Sequence, residues 1–321
     1  MSKNDKNQKP TRLISRREFL LGASTTVLAS SASGMGLSSG DKTPDITNVS
    51  VEIKNLPREL SGYKIAFFSD THLGHYLSSD YLRSVVKTVN NLKPNVILMG
   101  GDYIWREKSK LAKTLIRFQK SEYAELHNKE LVDKIVKDSA LILKDLKAPN
   151  GVFGVLGNHD HWEVGPKFKR IFANHRSAKI LINEFVEVWH KGARIRILGV
   201  DDYWTGIPKI PTGWTIGAKK LPPRAFNILL AHNPDYISEL EEESNAQFNL
   251  ALCGHTHGGQ IKLPVVGALM HNTYDSRFFE GLVELAPKNR YVFTTRGIGT
   301  VELPLRLNCP PEIALISLKA I

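Results

Sequence analysis

With 321 residues, 42% of them hydrophobic, the chain is long enough for one large domain or two smaller ones, and 24 glycines and 16 prolines are ordinary for a globular protein. Only two cysteines occur, Cys253 and Cys309, so no disulfide framework is implied; both flank apolar segments and are expected to be buried thiols, one bridge between them being the alternative. The formal charge is +11; Lys3, Lys6, Lys9, Arg12, Arg16 and Arg17 against Asp5 and Glu18 put +4 of it in residues 1–32, leaving +7 for the rest. That balance favours anionic partners and is equally a solubility feature.

The N-terminal stretch "KPTRLISRREFLLGASTTVLASSASG" leads from a basic region through a short, weakly apolar run, Phe19 to Ala29, into small residues. It is too short and too polar for a membrane span and has the three-part form of an export signal. "SRREFL" resembles the twin-arginine translocation signal, in which paired arginines precede a polar residue, Phe and Leu. Residues 1–33 are therefore expected to be a twin-arginine export signal. Cleavage after Ala32, with Ser30 at −3, is compatible with the sequence; an uncleaved signal would leave the protein tethered to the inner membrane. Residues 34–48, rich in Gly, Ser, Asp and Thr, read as a linker, and residues 49–321 as the main folded domain.

Short apolar runs then alternate with helix-compatible stretches. "VSVEIKNL" alternates with period two, as a half-buried strand does; "YKIAFFSD" and "NVILMGGD" are buried-strand runs. Between them "SDYLRSVVKTVNNLKP" has helical spacing and Pro94 as its stop. Residues 106–147 are long and charged, with Leu, Ile and Val recurring at threes and fours, which predicts one or two amphipathic helices. "GVFGVLGNHD" returns to strand, and "EFVEVWHKGARIRILGVDD" predicts a hairpin turning at His190 to Ala193. "FNILLAHNPD", a Glu-rich helix around "SELEEE", "FNLALCGHTHGGQ", "RYVFTTRG" and "EIALISL" complete the chain. Strands alternating with helices imply an α/β sandwich.

Five of the apolar runs stop at residues able to bind a metal. They are Asp70 and His72, Asp102, Asn158 and His159, His232, and His255 and His257. In α/β sheets the carboxyl ends of strands converge on one edge, so side chains this far apart in sequence can meet. The set is oxygen and imidazole without thiolate, which suits divalent transition metals. "DTH" or "GNH" alone would arise by chance; five such endings in series form a specific signal.

"DTH" (70–72), "GD" (101–102), "GNHD" (157–160), "H" (232) and "GHTH" (254–257) resemble, in order and spacing, the calcineurin-like metallophosphoesterase superfamily, from about residue 48 to the end. "LKAPNGVFGVLGNHDHW", "LLAHNPD", "GHTHGGQIKLP" and "RGIGTVELPLRLNCPPEI" are similar to a branch that includes twin-arginine-exported bacterial phosphoesterases and a UDP-2,3-diacylglucosamine hydrolase of lipid A biosynthesis. The resemblance implies a four-layer αββα sandwich with a dinuclear metal site at the strand C-terminal ends. It implies that Asp70, His72, Asp102 and His257 hold one metal, and that Asp102, Asn158, His232 and His255 hold the second, Asp102 bridging. The expected cofactors are two divalent ions (Mn²⁺, Fe or Zn²⁺), and the expected reaction is direct attack of a metal-bridging hydroxide on a phosphodiester or pyrophosphate. His159, not needed as a ligand, is the candidate general acid. Asp160 either holds the His159 imidazole or caps a following turn.

Arg277, Arg296 and Lys262 are candidates to meet phosphate charge, and Asn233, Asp201, Asp202 and Gln260 to orient ligands. "IKLPVVGALM", Ile261 to Met270, reads as a core strand with a bulge at Gly267, as the lining of an acyl pocket, or as a segment that dips into a membrane surface. The expected partners are an anionic phosphoester substrate, lipid-linked in one reading, and the twin-arginine machinery. The alternative functions are a nuclease or a phosphomonoesterase of the same superfamily, or a non-catalytic scaffold. Lys and Arg are dispersed rather than gathered in a groove, which disfavours nucleic acid, and no expected ligand is missing, which disfavours a scaffold.

Overall fold

The computed structural model describes residues 37–39, 43–108, 121–123, 128–211, 214, 225–242, 248–285 and 289–321. The expected export signal, residues 34–36 and 40–42 of the expected linker and part of the 106–147 segment lie outside them. In chain order, the strands of the two main sheets are β1 Asp45–Ile53, β2 Lys64–Phe68, β3 Val96–Met99, β4 Val152–Gly154, β5 Lys179–Ile180, β6 Glu184–His190, β7 Ala193–Gly199, β8 Ala225–Leu230, β9 Leu250–Cys253, β10 Gly281–Leu285, β11 Arg290–Thr294 and β12 Glu312–Ala320. The helices are α1 Ser79–Asn91, α2 Asn128–Leu143, α3 Asn158–Glu163, α4 Lys167–Asn174 and α5 Asp235–Glu242.

The first sheet has the order β1-β12-β2-β3-β4-β5 and the second β10-β11-β9-β8-β7-β6. β2, β3, β4 and β5 run parallel, as do β7, β8, β9 and β11. The apolar runs are continuous because these strands are covered on both faces. Ile65 and Phe67 of β2 enter the core between the sheets, whereas Ala66 and Phe68 face the helices. In β9, Leu250 and Leu252 point inward and Ala251 and Cys253 outward, toward α5. Helices α1, α2 and α4 pack on the outside of the first sheet and α5 on the outside of the second. The four layers are helix, sheet, sheet, helix, as the resemblance implied.

Local signals account for most boundaries. Ser78 caps α1 by accepting a hydrogen bond from the Tyr81 amide at 3.2 Å. The β6–β7 hairpin turns at Lys191 and Gly192, both at positive φ (49° and 86°), the geometry that matches strand twist. One boundary differs from expectation. β1 begins at Asp45, inside the stretch read as linker, because β12 supplies a parallel ladder from Glu312↔Asp45 onward. That backbone pairing is indifferent to the polar side chains that suggested a linker. Leu37–Ser39 likewise pair with Leu305–Leu307. Both cysteines are free and buried thiols, which removes the bridge alternative.

Candidate metal centre

The loops after the parallel strands are stitched to each other by backbone hydrogen bonds. Asp70 N donates to Gly101 O at 2.9 Å and His72 N to Asp102 O at 3.1 Å, joining the loops after β2 and β3. Gly254 N donates to His232 O at 2.9 Å, joining those after β9 and β8, and Ile298 N donates to Ser69 O at 3.0 Å across the two sheets. Close approach needs glycine at specific points. A Cβ on Gly157 would lie 2.2 Å from Asp102 Oδ1, and one on Gly254 would lie 2.1 Å from Ser69 Oγ and 2.6 Å from Asp70 Oδ2.

All seven expected ligands are buried and lie together. His72 Nε2 is 3.0 Å from His257 Nε2, 3.8 Å from Asp70 Oδ1 and 3.7 Å from Asp102 Oδ2. His257 Nε2 is 3.4 Å from Asp70 Oδ1. On the other side, His232 Nε2 is 3.3 Å from Asp102 Oδ2, 3.2 Å from Asn158 Oδ1 and 3.1 Å from His255 Nδ1. Asp102 Oδ2 thus stands between the His72–His257 group and the His232–His255–Asn158 group. Asp70 reaches both as well: its donor atom lies within 4.8 Å of those of His72 and His257, and of those of Asp102 and His232.

Several contacts aim the ring nitrogens. His232 Nδ1 bonds the Gly100 carbonyl at 2.8 Å and His72 Nδ1 the Ile104 carbonyl at 3.4 Å, so each turns Nε2 toward the centre. Asp70, His72, Asp102, His255 and His257 have φ of 55°, 46°, 53°, 70° and 54°. Left-handed backbone is uncommon outside glycine, and its concentration on five ligands marks a site held in a strained geometry.

The donor set calls for cations. Burial pushes the His72 imidazole down to about 3 despite the pull of Asp102, and burial likewise lowers His255 and His257, so these rings are neutral, the form that ligates. At His232 burial opposes charge, but Asp102 and then Asp70 outweigh it and raise its pKa well above the ordinary value. Burial would raise Asp102, yet His232 and His159 hold it well below the usual carboxylate range. Burial is the largest influence on Asp70, raising it to about 6. Asp70 Oδ1, buried, has no hydrogen-bond partner among the described residues and faces two imidazole nitrogens. A cluster of two buried carboxylates, three imidazoles disfavoured from carrying charge, a fourth, His232, charged only through those carboxylates, and one orphaned carboxylate oxygen fits divalent metal ions.

The stretch that supplies every one of these donors also carries the decisive match: residues 63–259 fit the family model described as calcineurin-like phosphoesterase. The chain belongs to that family. It is a metal-dependent phosphoester hydrolase. The uncharacterized metallophosphoesterase YkuE of Bacillus subtilis is 28% identical over 313 residues, covering 96% of this chain and 98% of its own. Phosphodiesterase YaeI of Escherichia coli is 28% identical over 310 residues, covering 95% and 100%. Among solved structures, Haemophilus influenzae NAD nucleotidase superposes with a TM-score of 0.46 at 15% identity, covering 74% of this chain and 46% of that one.

The remaining expected site residues divide sharply. The His159 ring, half-buried at the rim, has its centroid 5.1 Å from that of His72, 4.5 Å from Trp105 and 4.6 Å from Trp162, and its backbone N donates to Asp102 Oδ1 at 2.8 Å. Burial lowers its pKa. Asp160 does not hold that ring: its carboxylate accepts from the backbone amides of Asp102 and Tyr103 at 2.9 Å and of Gly157 at 3.0 Å. It is the capping carboxylate of α3, and it fixes the turn that carries Asp102.

The three expected phosphate-binding cations each stand in an ion pair. Arg277 pairs with Asp275 at 2.6 Å and Glu241 at 2.8 Å, Arg296 with Glu312 at 3.2 Å, and Lys262 with Glu280 at 2.5 Å. The expected orienting residues act on loops rather than on ligand rings. Gln260 clips the backbone of Val301 and Leu303, Asn233 accepts from Asp235 N, and Asp201 meets His161 at 2.7 Å. Asp202 accepts from Trp204 N and Thr205 N, which steadies the loop that sets Trp204 edge-on to His255 with centroids 4.3 Å apart.

Sequence reasoning missed Arg306. Its fully buried guanidinium donates to the carbonyls of Gly299 (2.6 Å), Arg296 (2.9 Å), Cys309 (3.2 Å) and His257 (3.3 Å), and stands 3.3 Å from His257 Nδ1. It ties the loops after β9 and β11 behind a ligand. The signal available was an arginine enclosed by leucines in "LPLRLN".

Proposed function

We propose that this protein hydrolyses a phosphodiester or pyrophosphate bond in a cell-envelope or lipid-linked substrate, of which UDP-2,3-diacylglucosamine is the first candidate. The observation that carries the hydrolytic chemistry is the position of Asp102 Oδ2, between His72 Nε2 at 3.7 Å and His232 Nε2 at 3.3 Å, with the orphaned Asp70 oxygen alongside. Asp70, His72, Asp102 and His257 would hold one cation, and Asp102, Asn158, His232 and His255 a second. Two divalent ions supply Lewis acidity that lowers the pKa of water and offsets phosphoryl charge. The chain's own part is orientation. Gly100 and Ile104 carbonyls aim two imidazoles, Asp160 fixes the Asp102 turn, and Arg306 braces His257 from behind.

His159 would give a proton to the leaving oxygen. Its ring is beside His72 and held between Trp105 and the half-exposed Trp162, so it is fixed in place yet open to substrate. Support for a diester comes from the relative named a phosphodiesterase, which matches over its full length. Support for an envelope substrate comes from the "SRREFL" signal and from exposed Trp162 and Trp204 beside the site. On this reading the protein works in the cell envelope, exported by the twin-arginine route or tethered to the inner membrane. A nucleotide-linked lipid precursor is cytoplasmic, so that substrate goes with a tether facing the cytoplasm, whereas an exported protein goes with an envelope diester. Twin-arginine export carries folded chains, so loading would precede export and admits Mn²⁺ or Fe beside Zn²⁺.

The test is hydrolysis of UDP-2,3-diacylglucosamine with Mn²⁺, with Asp102→Ala as control. UMP released by the intact protein alone is the expected result. Cleavage of bis(p-nitrophenyl) phosphate without UMP release would redirect the search to other envelope diesters. Faster turnover of p-nitrophenyl phosphate than of either would overturn the diester reading. Zinc as the sole metal in protein isolated from its native envelope would overturn cytoplasmic loading of Mn²⁺ or Fe.

A further inference from the structure

Directly after the histidine pair, the chain leaves the body of the domain. Lys262–Leu263 pair antiparallel with Gly267–Ala268, and Pro264, Val265 and Val266 form the tip of this hairpin. The core-strand reading of "IKLPVVGALM" is overturned here. Ile261 is buried at the base, but Val265 is fully exposed and Val266 is 70% exposed. The base is anchored: Leu269 N donates to Ile261 O at 3.0 Å, Asn308 Nδ2 to Lys262 O at 2.9 Å, and Ile261 bridges to Leu307.

The tip departs from hairpin chemistry in a particular way. Val265 has φ 68°. A β-branched residue is a true outlier there, and Gly, Asn or Asp is the ordinary choice at an exposed hairpin tip. Two valines and a proline therefore stand in solvent at a place where local backbone preference favours a polar residue or glycine. Neither folding nor solubility gains from them. Among the described residues no helix is long and apolar enough to cross a membrane.

The surroundings of the tip point to its partner. Residues 261–274 contain Lys262 and His271 and no Asp or Glu, and the charge of Lys262 is matched by Glu280 from outside this stretch. On the return arm, Met270 packs on the cluster of Tyr76, Trp105 and Val301. Trp105 in turn touches His159, and His159 touches Trp162, which is 52% exposed and has Lys108 Nζ 5.9 Å from its ring centroid. An apolar tip and an exposed tryptophan, with Lys108 beside it paired to Glu163 at 2.8 Å, are thus joined through packed side chains to the rim of the metal centre. Valine at the tip suits hydrocarbon, tryptophan suits the headgroup level, and the chain's excess of positive charge suits an anionic surface.

We propose that the Pro264–Val266 tip docks this protein on an anionic lipid bilayer, seating the metal centre against the headgroups. The proposal deepens the lipid-linked reading and rests on it for its purpose, while the docking itself is measured without turnover, so the two can fail separately. Full-length protein is sedimented with vesicles of phosphatidylcholine containing phosphatidylglycerol. Val265→Asp/Val266→Asp is expected to lower partitioning at least about tenfold, since two side chains' worth of apolar burial is lost, and to leave hydrolysis of bis(p-nitrophenyl) phosphate unchanged.

Because the N-terminal segment can bind vesicles by itself, a local reporter decides the matter. Cys253 and Cys309 are buried, so an environment-sensitive NBD label on Val265→Cys reports the tip alone. A blue shift with these vesicles, quenched by spin-labelled lipid chains and weaker without phosphatidylglycerol, is the expected result. No shift overturns the proposal. A dimer in sedimentation velocity that the double aspartate variant abolishes, with no shift on vesicles, overturns it in favour of a contact between copies of this chain.

Discussion

The metal centre and the hairpin tip both hold residues other than glycine in left-handed backbone, and they sustain it by opposite means. At the centre, Asp70, His72, Asp102, His255 and His257 are buried and bound into backbone hydrogen bonds from several loops. Left-handed backbone costs a non-glycine residue roughly 1–2 kcal/mol, and there the surrounding structure overdetermines it. At the tip, Val265 is solvent-exposed and its strain is opposed only by the short ladder beneath it. Strain that the fold enforces serves to aim donor atoms. Strain that the fold does not enforce is attributed to the side chain itself.

The comparison can be broken most decisively at the carboxylate between the two groups of histidines. Asp102→Ala should reduce metal-dependent hydrolysis to background, with metal content by atomic emission falling in parallel. Chelation of the intact protein should do the same, and added Mn²⁺ should restore only the intact chain. His159→Ala should retain metal and slow hydrolysis roughly 10²–10⁴-fold, most for esters with poor leaving groups. Equal loss for good and poor leaving groups would remove it from proton transfer. Gly157→Ala keeps an allowed backbone but puts a methyl 2.2 Å from Asp102 Oδ1. It should cost about 10–100-fold in metal affinity, read by titration, together with a lower melting temperature, because the methyl also falls 2.8 Å from the Asp102 backbone N.

Smaller effects sharpen the contrast. Arg306→Lys keeps a charge but loses the fork that reaches several carbonyls. It should cost about 1–3 kcal/mol in denaturant unfolding and weaken metal binding through His257. Val265→Asn should be the mildest. It should stabilise the protein by up to about 1 kcal/mol, because Asn tolerates left-handed backbone, and leave soluble-substrate hydrolysis unaltered.

Much of the centre was legible because its ligands end apolar runs. Five buried strands announce themselves as runs such as "KIAFF" and "FNLALC", and each gives way to a short polar segment of metal-competent residues. Asp160 was legible only as two alternatives, since a carboxylate next to a histidine reads the same whether it faces the ring or the backbone. The ion pairs of the expected phosphate-binding cations were not legible for a related reason. Arg277, Arg296 and Lys262 lie near the motifs in sequence, and apart from Asp275, two residues from Arg277, their partners Glu241, Glu312 and Glu280 are brought to them by other segments. The 261–270 segment was equivocal because a short apolar run looks alike in a core and at an exposed tip.

The sequence by itself determined the layered α/β architecture, through burial periodicity, and the series of metal-competent strand endings, through residue chemistry. The family was legible from the resemblance of those motifs in order and spacing, and all of these are read locally along the chain. Only the tertiary structure decided which donors face which, that Asp102 and Asp70 both reach two groups of ligands, and that Arg306 stands behind His257. It also decided that Val265 and Val266 leave the core. These are matters of distance between segments far apart in the chain, and local preference carries no information about them until the two sheets pack and bring their strand ends to one edge.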